Sequence, residues 1–222
     1  MELSVGISTF SKKTNMHPFN YLHKEATKSG APLLLLLHGY GSNEADLFSL
    51  APYLPNDFHI VSLRAPRSLS FGYAWFPIHF DAAMERWTDE KEVHIAISYI
   101  NDFIDAYTSS NAINPEKVFL MGFSQGAMLS LSVGLTRNSI QGIAALSGYL
   151  DHRLEKPTAS RNLPIYISHG SADEVVPYVW AKQSVERLKG FGYHPEFYTY
   201  TQGHGINQEN LDALIEWLQK QR

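Results

Sequence analysis

The strongest constraint on the fold lies in the middle of the chain, where an apolar run ends in a G-x-S-x-G pattern. Residues 118–126 read VFLMGFSQG, with Ser124 between the two glycines, and an apolar segment typical of a helix follows. A strand that reverses directly into a helix leaves little room for side chains, so glycine, which has no Cβ, is favoured on either side of the turn. The pattern predicts a nucleophile elbow, in which a strained turn presents a serine hydroxyl. An incidental serine in a Gly-rich turn is the alternative.

The rest of the chain alternates between short apolar runs and helix-type patterns. Strands are predicted at 3–7, 21–23, 33–37, 59–63, 142–146, 164–168 and 196–200, and helices at 44–50, 92–107, 180–189 and around 211–218. There is no internal repeat and no linker. This alternation predicts one α/β domain over residues 1–222, with a mostly parallel central sheet and helices on both faces.

Residues able to do chemistry follow several of these strands directly. His38, Ser124, Asp173 and His204 each come just after a predicted strand. Ligands bind outside the carboxyl ends of the strands in open α/β sheets, so we expect the four side chains to share one edge of the sheet.

Three of these residues have the types and the order of a catalytic triad. Ser124 needs a base, because a serine hydroxyl is a poor nucleophile near neutral pH. His204, in a Gly-flanked loop, is the best candidate, and Asp173 is placed to orient its imidazole. The backbone N–H groups of Gln125 and Tyr40 are the predicted oxyanion donors. The alternatives are a helix-capping Asp173, a surface-turn His204 and a buried Ser124.

The segment 66–87 is long, aromatic and without a clear period. It follows the strand at 59–63 and carries Trp75 and Phe76, which we expect to wall a substrate pocket. The alternative is that both side chains only cover a core helix.

Composition and charge exclude several other classes. The formal net charge is −4 without a basic block, which argues against nucleic acid as a partner. Zero cysteines exclude disulfides, thiolate metal sites and a cysteine nucleophile. No histidine spacing indicates a metal site, so neither a metal nor an organic cofactor is expected. No secretory signal or membrane-spanning run is present in the sequence, and a cytoplasmic protein is predicted.

Four segments resemble the carboxylesterase, lysophospholipase and acyl-protein thioesterase group of serine α/β-hydrolases. They are LLHGYGSNEADL at 36–47, GFSQGAM at 122–128, ISHGSADEVVP at 167–177 and GHGI at 203–206. The resemblance implies the α/β-hydrolase fold with little or no cap domain, hydrolysis of esters or thioesters without a cofactor, and often a homodimer. Peptidase or amidase action and a non-catalytic binding role on the same scaffold are the alternatives.

Carried over residue by residue, the resemblance implies Ser124 as nucleophile, Asp173 as the orienting acid and His204 as base, with Gln125 and Tyr40 as oxyanion donors. Two positions depart from the pattern of the group. Members often carry a small aliphatic residue at the position of Tyr40, so its ring is expected to narrow the site. Many also follow the loop tryptophan with an aromatic residue and an aspartate, where this chain continues to Pro77.

Overall fold

The computed structural model describes residues 19–80, 86–154 and 156–221, without the side chains of Phe80, Arg86 and Trp87. The strands are β1 (Tyr21–Lys24), β2 (Leu33–Leu37), β3 (His59–Leu63), β4 (Arg67–Leu69), β5 (Gly72–Ala74), β6 (His79–Phe80), β7 (Arg86–Trp87), β8 (Val118–Phe123), β9 (Ile140–Leu146), β10 (Ile165–Gly170) and β11 (Glu196–Tyr200). The helices are α1 (Glu44–Phe48), α2 (Glu90–Ser110), α3 (Gln125–Thr136), α4 (Tyr178–Gly190) and α5 (Gln208–Lys220). The edge strand predicted at 3–7 lies outside the described residues.

Within the described residues, the central sheet has seven strands in the order β1-β3-β2-β8-β9-β10-β11. Only β1 pairs in the antiparallel sense, with β3, and every other pair in this sheet is parallel. The predicted α/β class with a mostly parallel sheet is therefore confirmed. Strand β8, which leads into the G-x-S-x-G turn, is the middle strand of the seven.

Helices cover both faces of the sheet, as the unbroken leucine run of β2 requires. Successive side chains of a strand point to opposite faces, so a run without alternation must be buried on both sides. Leu33, Leu35 and Leu37 belong to one core with residues of α2, α3 and α4. Leu34 and Leu36 belong to the other core, with residues of α1 and α5.

Helix α3 lies at the centre and has no polar face. Every residue from Gln125 to Leu135 is buried. The helix packs on β2, β8 and β9 and is covered by α2. A helix without a polar face is stable only inside the protein. Because α3 is buried in this way, its first residue is held in place at the carboxyl edge of the sheet.

The aromatic segment after β3 contains the small hairpin β4–β5 and the antiparallel strand pair β6–β7, neither of which the sequence predicted. The hairpin contacts the loop after β2, where Ser42 and Tyr73 form a bridge. Gly72 has φ +150°, and a Cβ there would lie 2.1 Å from the carbonyl oxygen of Gly41. Glycine at this position is thus what lets the hairpin approach the loop.

Candidate active site

Ser124 occupies a strained turn between β8 and α3. Its backbone has φ 54° and ψ −115°, a combination that residues with a Cβ rarely adopt and that costs on the order of 1–3 kcal/mol. Three hydrogen bonds hold the turn. The Ser124 N–H donates to the carbonyl of Leu146 at 2.9 Å, and the Ser124 carbonyl accepts from the N–H groups of Ala127 and Met128.

The two motif glycines lie where neighbouring backbone comes too close for any side chain. A Cβ on Gly122 would be 2.2 Å from the carbonyl oxygen of Gly126. A Cβ on Gly126 would be 1.9 Å from the carbonyl oxygen of Leu37, at the end of β2. These approaches confirm the steric reason for glycine on both sides of the serine.

His204 and Asp173 form a close pair beside this turn. The imidazole Nδ1 of His204 lies 2.7 Å from Oδ2 of Asp173, whose side chain is fully buried. A carboxylate oxygen accepts, so Nδ1 carries the hydrogen and Nε2 is left with a lone pair in the neutral ring. The ring of Phe123 packs 4.8 Å from the imidazole, centroid to centroid. The pair is therefore arranged to present a basic nitrogen.

The other carboxylate oxygen of Asp173 is used to hold its own loop. Oδ1 accepts from the N–H of Val175 at 2.9 Å and from the N–H of Val176 at 2.8 Å. The N-cap of α4 is Pro177 and no side chain caps it, so the helix-capping role that the sequence left open for Asp173 is wrong. One carboxylate oxygen holds the turn and the other contacts His204.

His169 adds a contact that the sequence did not indicate. Its side chain is fully buried, and Nε2 lies 2.8 Å from the carbonyl of Val176 and 3.3 Å from Oδ2 of Asp173. The hydrogen bond to the Val176 carbonyl anchors the turn that follows β10. The approach to the carboxylate depends on the fold of the following turn, which no spacing in the sequence reveals.

Gln125 links the start of α3 to the segment that carries Trp75 and Phe76. Its side-chain Oε1 accepts from the N–H of Trp75 at 2.9 Å, and its Nε2 donates to the carbonyl of Phe76 at 2.8 Å. The side chain is buried. Sequence reasoning missed this role, although a glutamine at the start of a mostly apolar helix was an available signal for it.

His38 anchors the loop after β2 in a buried environment. Nε2 lies 3.1 Å from the N–H of Ala65, which can only donate, and Nδ1 lies 2.7 Å from the carbonyl of Gly39, which can only accept. These partners fix the neutral tautomer with hydrogen on Nδ1. Burial lowers the pKa of His38, since the charged ring would lose its hydration.

A cavity of about 410 Å³ opens over the turn. Ser124, Gln125 and His204 line it together with Tyr40 and Phe76, and most of the remaining wall is apolar. The structure thus brings the three predicted triad residues to one site, two on the cavity wall and Asp173 directly behind His204.

Trp75 differs from the expectation for the pocket. Phe76 lines the cavity, whereas Trp75 is not among the lining residues and is 1% exposed. Its indole N–H donates to the carbonyl of His38 at 2.8 Å. This bond holds the ring in the core behind the loop after β2, so Trp75 supports the wall rather than forming it.

Comparison with known proteins decides the family. The sequence model of the phospholipase/carboxylesterase family matches residues 23–222. The chain belongs to this family. The match confirms the resemblance and the α/β-hydrolase fold that the four sequence segments implied.

Relatives in this family carry hydrolase names. The chain is 35% identical over 144 residues to acyl-protein thioesterase 1 of Neurospora crassa, an alignment that covers 61% of this chain and 58% of that protein. It is 28% identical over 218 residues to a probable inactive carboxylesterase of Oryza sativa subsp. japonica, with 88% of each chain covered. Among solved structures, that of esterase PE8 superposes with a TM-score of 0.82 at 29% identity, covering 90% of this chain and 97% of that one.

Two structural features are absent from the described part of the chain. No group of three or more His, Cys, Asp or Glu side chains there is arranged to hold a metal ion. None of the helices in those residues has the length and apolar character needed to span a membrane.

Proposed function

We propose that this family member is a serine hydrolase that cleaves carboxylic esters, or thioesters, of small to medium acyl chains through an acyl-enzyme. The observation that carries the proposal is the strained turn at Ser124 opening into the same cavity as His204, whose imidazole is held by Asp173. Strain of this kind persists where a side chain must be presented in one fixed direction.

The arrangement supports a two-step reaction. Ser124 Oγ attacks the carbonyl carbon while Nε2 of His204 takes its proton, and the alcohol or thiol then leaves with that proton. Water next attacks the acyl-enzyme, with His204 again as base, and releases the acid and the free serine. Asp173 accepts from Nδ1 of the ring at 2.7 Å, which leaves Nε2 for this role.

The negative charge that develops on the carbonyl oxygen needs two donors. We propose the backbone N–H groups of Gln125 and Tyr40 as these donors, since both residues line the cavity. Gln125 is the first residue of α3, where an N–H has no intrahelical acceptor. The positive end of the α3 dipole points the same way and favours an anion there.

The cavity supports the substrate class. Its volume of about 410 Å³ lies in the range of small-molecule sites, and its apolar wall suits an acyl chain. Acyl-protein thioesters and lysophospholipids are the second candidates. The first are supported by a relative named acyl-protein thioesterase 1, and the second by the description of the family as phospholipase/carboxylesterase. A cytoplasmic location and a homodimer belong to the same proposal; the absence of cysteine supports the first.

A fluorophosphonate probe tests the nucleophile. We expect stoichiometric labelling on Ser124 and none in Ser124→Ala, while Ser42→Ala, which removes another serine hydroxyl from the same cavity, keeps its label. Labelling at another residue, or none in folded protein, contradicts the assignment. Either result would favour the non-catalytic alternative. One relative, from rice, is itself named a probable inactive carboxylesterase.

Kinetics with matched substrates test the reaction. A burst of p-nitrophenol from a short-chain ester reports the acyl-enzyme, and esters, thioesters and anilides of one acyl chain rank the leaving groups. Asp173→Asn is expected to retain the fold and lose about 10⁴-fold in kcat, because the imidazole loses its orienting acceptor. Near wild-type turnover in this variant would assign the orienting role to another acid.

A further inference from the structure

A second cavity, of about 570 Å³, adjoins the one over Ser124. Thr88 and Tyr149 line both cavities, so the two spaces meet at these side chains. The rings of Tyr149 and Trp180 meet edge to face at 5.0 Å and form an aromatic wall. We call this space the arginine pocket, because the side chains of Arg153 and Arg187 line it.

One of the two arginines is neutralised inside the pocket. Arg153 donates to both carboxylate oxygens of Asp151, through Nε at 2.8 Å and through Nη2, and its backbone N–H donates to the same group. Burial alone would raise the pKa of Asp151, but the hydrogen bonds from Arg153 outweigh it and lower that pKa. Asp151 is thus ionised at neutral pH, and the pair contributes no net charge.

The other arginine keeps its charge. Arg187 donates from Nη1 to the carbonyl of Asp151 at 2.8 Å, and from Nη2 to the carbonyls of His152 and Leu154. Carbonyl oxygens carry only partial charge, and no carboxylate in the described ranges forms an ion pair with Arg187. A guanidinium has five N–H donors, so the N–H of Nε and one on Nη1 are left for a ligand.

We propose that the arginine pocket binds an anionic oxygen group, a carboxylate or a phosphate, at the far end of the substrate. This inference rests on the proposed function and narrows it to esters with a negative charge remote from the scissile carbonyl. A half-buried guanidinium without a counter-charge favours such a group, since charge-assisted bonds to Arg are strong and directional. A purely structural Arg187, which only anchors the loop at 151–154, is the alternative.

Hydrolysis of charged and capped substrates separates the two roles. The probes are p-nitrophenyl hydrogen suberate and p-nitrophenyl methyl suberate, which have the same chain and differ in one charge, with adipate and sebacate pairs to scan length. In wild type we expect kcat/KM to be higher for the charged ester than for the capped ester. Arg187→Gln should reduce this ratio by about tenfold or more at the best chain length. Arg187→Lys should retain part of the preference, because it keeps the charge and loses the fork.

The capped ester is the internal control for the three carbonyl contacts that Arg187→Gln also removes. In this variant the kcat/KM of the capped ester should fall by a clearly smaller factor than that of the charged ester. Arg137→Gln, which breaks the surface pair with Asp105, is the matched arginine control and should leave the ratio unchanged. A structural Arg187 predicts equal losses on both esters. That result, or a preference that survives Arg187→Gln, overturns the inference.

Binding to a protein unable to turn over separates this inference from the proposed function. Ser124→Ala is titrated calorimetrically with suberate, with monomethyl suberate and with inorganic phosphate. Saturable binding of suberate that Arg187→Gln abolishes supports the pocket, even if wild type hydrolyses neither ester. Phosphate binding in preference to suberate assigns the site to phosphate groups. Absence of any saturable binding, together with no charge preference in wild type, overturns it.

Discussion

The side chain of Gln125 should stabilise the site through the two buried hydrogen bonds that tie α3 to Trp75 and Phe76. Gln125→Leu keeps nearly the same size but can neither donate nor accept. One backbone N–H and one carbonyl would then be buried without a partner. Each such group costs about 1–3 kcal/mol, so the pair costs roughly 4 kcal/mol in total.

The more apolar side chain returns part of this, about 1–2 kcal/mol. We therefore expect the free energy of unfolding to fall by about 2–3 kcal/mol. In a chain of this length each kcal/mol corresponds to about 2–4 °C in Tm, so Tm should fall by about 4–12 °C. The catalytic change should be mainly in KM, because Phe76 lines the cavity while the main-chain N–H of Gln125 is retained.

Urea unfolding followed by tryptophan fluorescence gives the stability, and initial rates on a short ester well below Tm give KM and kcat. Gln141→Leu is the matched control: Gln141 is exposed on β9, and the change should stay within about 0.5 kcal/mol. If Gln125→Leu were as stable as Gln141→Leu, the two hydrogen bonds would not be what holds the segment. A loss confined to kcat would contradict the expected effect on the cavity wall.

Three further substitutions test other parts of the site. Gly126→Ala should lower the free energy of unfolding by more than about 3 kcal/mol or prevent folding, because the new Cβ would lie 1.9 Å from the carbonyl oxygen of Leu37. The control is Gly190→Ala, which has open space around it and should be neutral or slightly stabilising in the same urea assay. For His38 the folded pKa is lowered, so the unfolded chain takes up a proton first as pH falls below about 6.5. The free energy of unfolding therefore decreases toward pH 5. In His38→Asn the slope of this decrease should be smaller by up to about 1.4 kcal/mol per pH unit. An unchanged slope would contradict a buried neutral ring. His169→Phe removes the donor near Asp173 and should lower kcat about tenfold with KM little changed. His169→Gln should recover part of the lost kcat. Equal kcat in wild type and both variants would show that His169 acts only in packing.

The main elements of the fold could be predicted because their signals are local. The five leucines of β2 lack alternation, which already indicated a strand covered on both faces. Helix α2 was predicted at 92–107 and extends over Glu90–Ser110, since Asp89 caps its start by accepting from the N–H of Lys91. The hairpin β4–β5 and the strand pair β6–β7 were not predicted, because strands of two or three residues are too short to show a period.

The site was predictable to the level of backbone position and no further. Ser124, Asp173 and His204 each follow a parallel strand, and the carboxyl ends of parallel strands meet at one edge, so their proximity followed from the order of elements. Which atoms a side chain contacts depends on how segments distant in sequence pack. The indole of Trp75 turns away from the cavity to His38, and no pattern within 66–87 contains that information.

The position of β8 in the sheet has a consequence for how activity is lost on heating. Ser124 follows the central strand and starts a helix buried on all sides, whereas His204 lies in the half-exposed loop beyond the edge strand β11. Edge strands and their loops open at far lower free energy than a sheet's interior. Amide protons of β8 and α3 should therefore exchange only through global unfolding, while those at 201–205 exchange through local opening. Each local opening separates His204 from Ser124, the proposed base and nucleophile. Heating should therefore abolish activity at a lower temperature than it unfolds the chain.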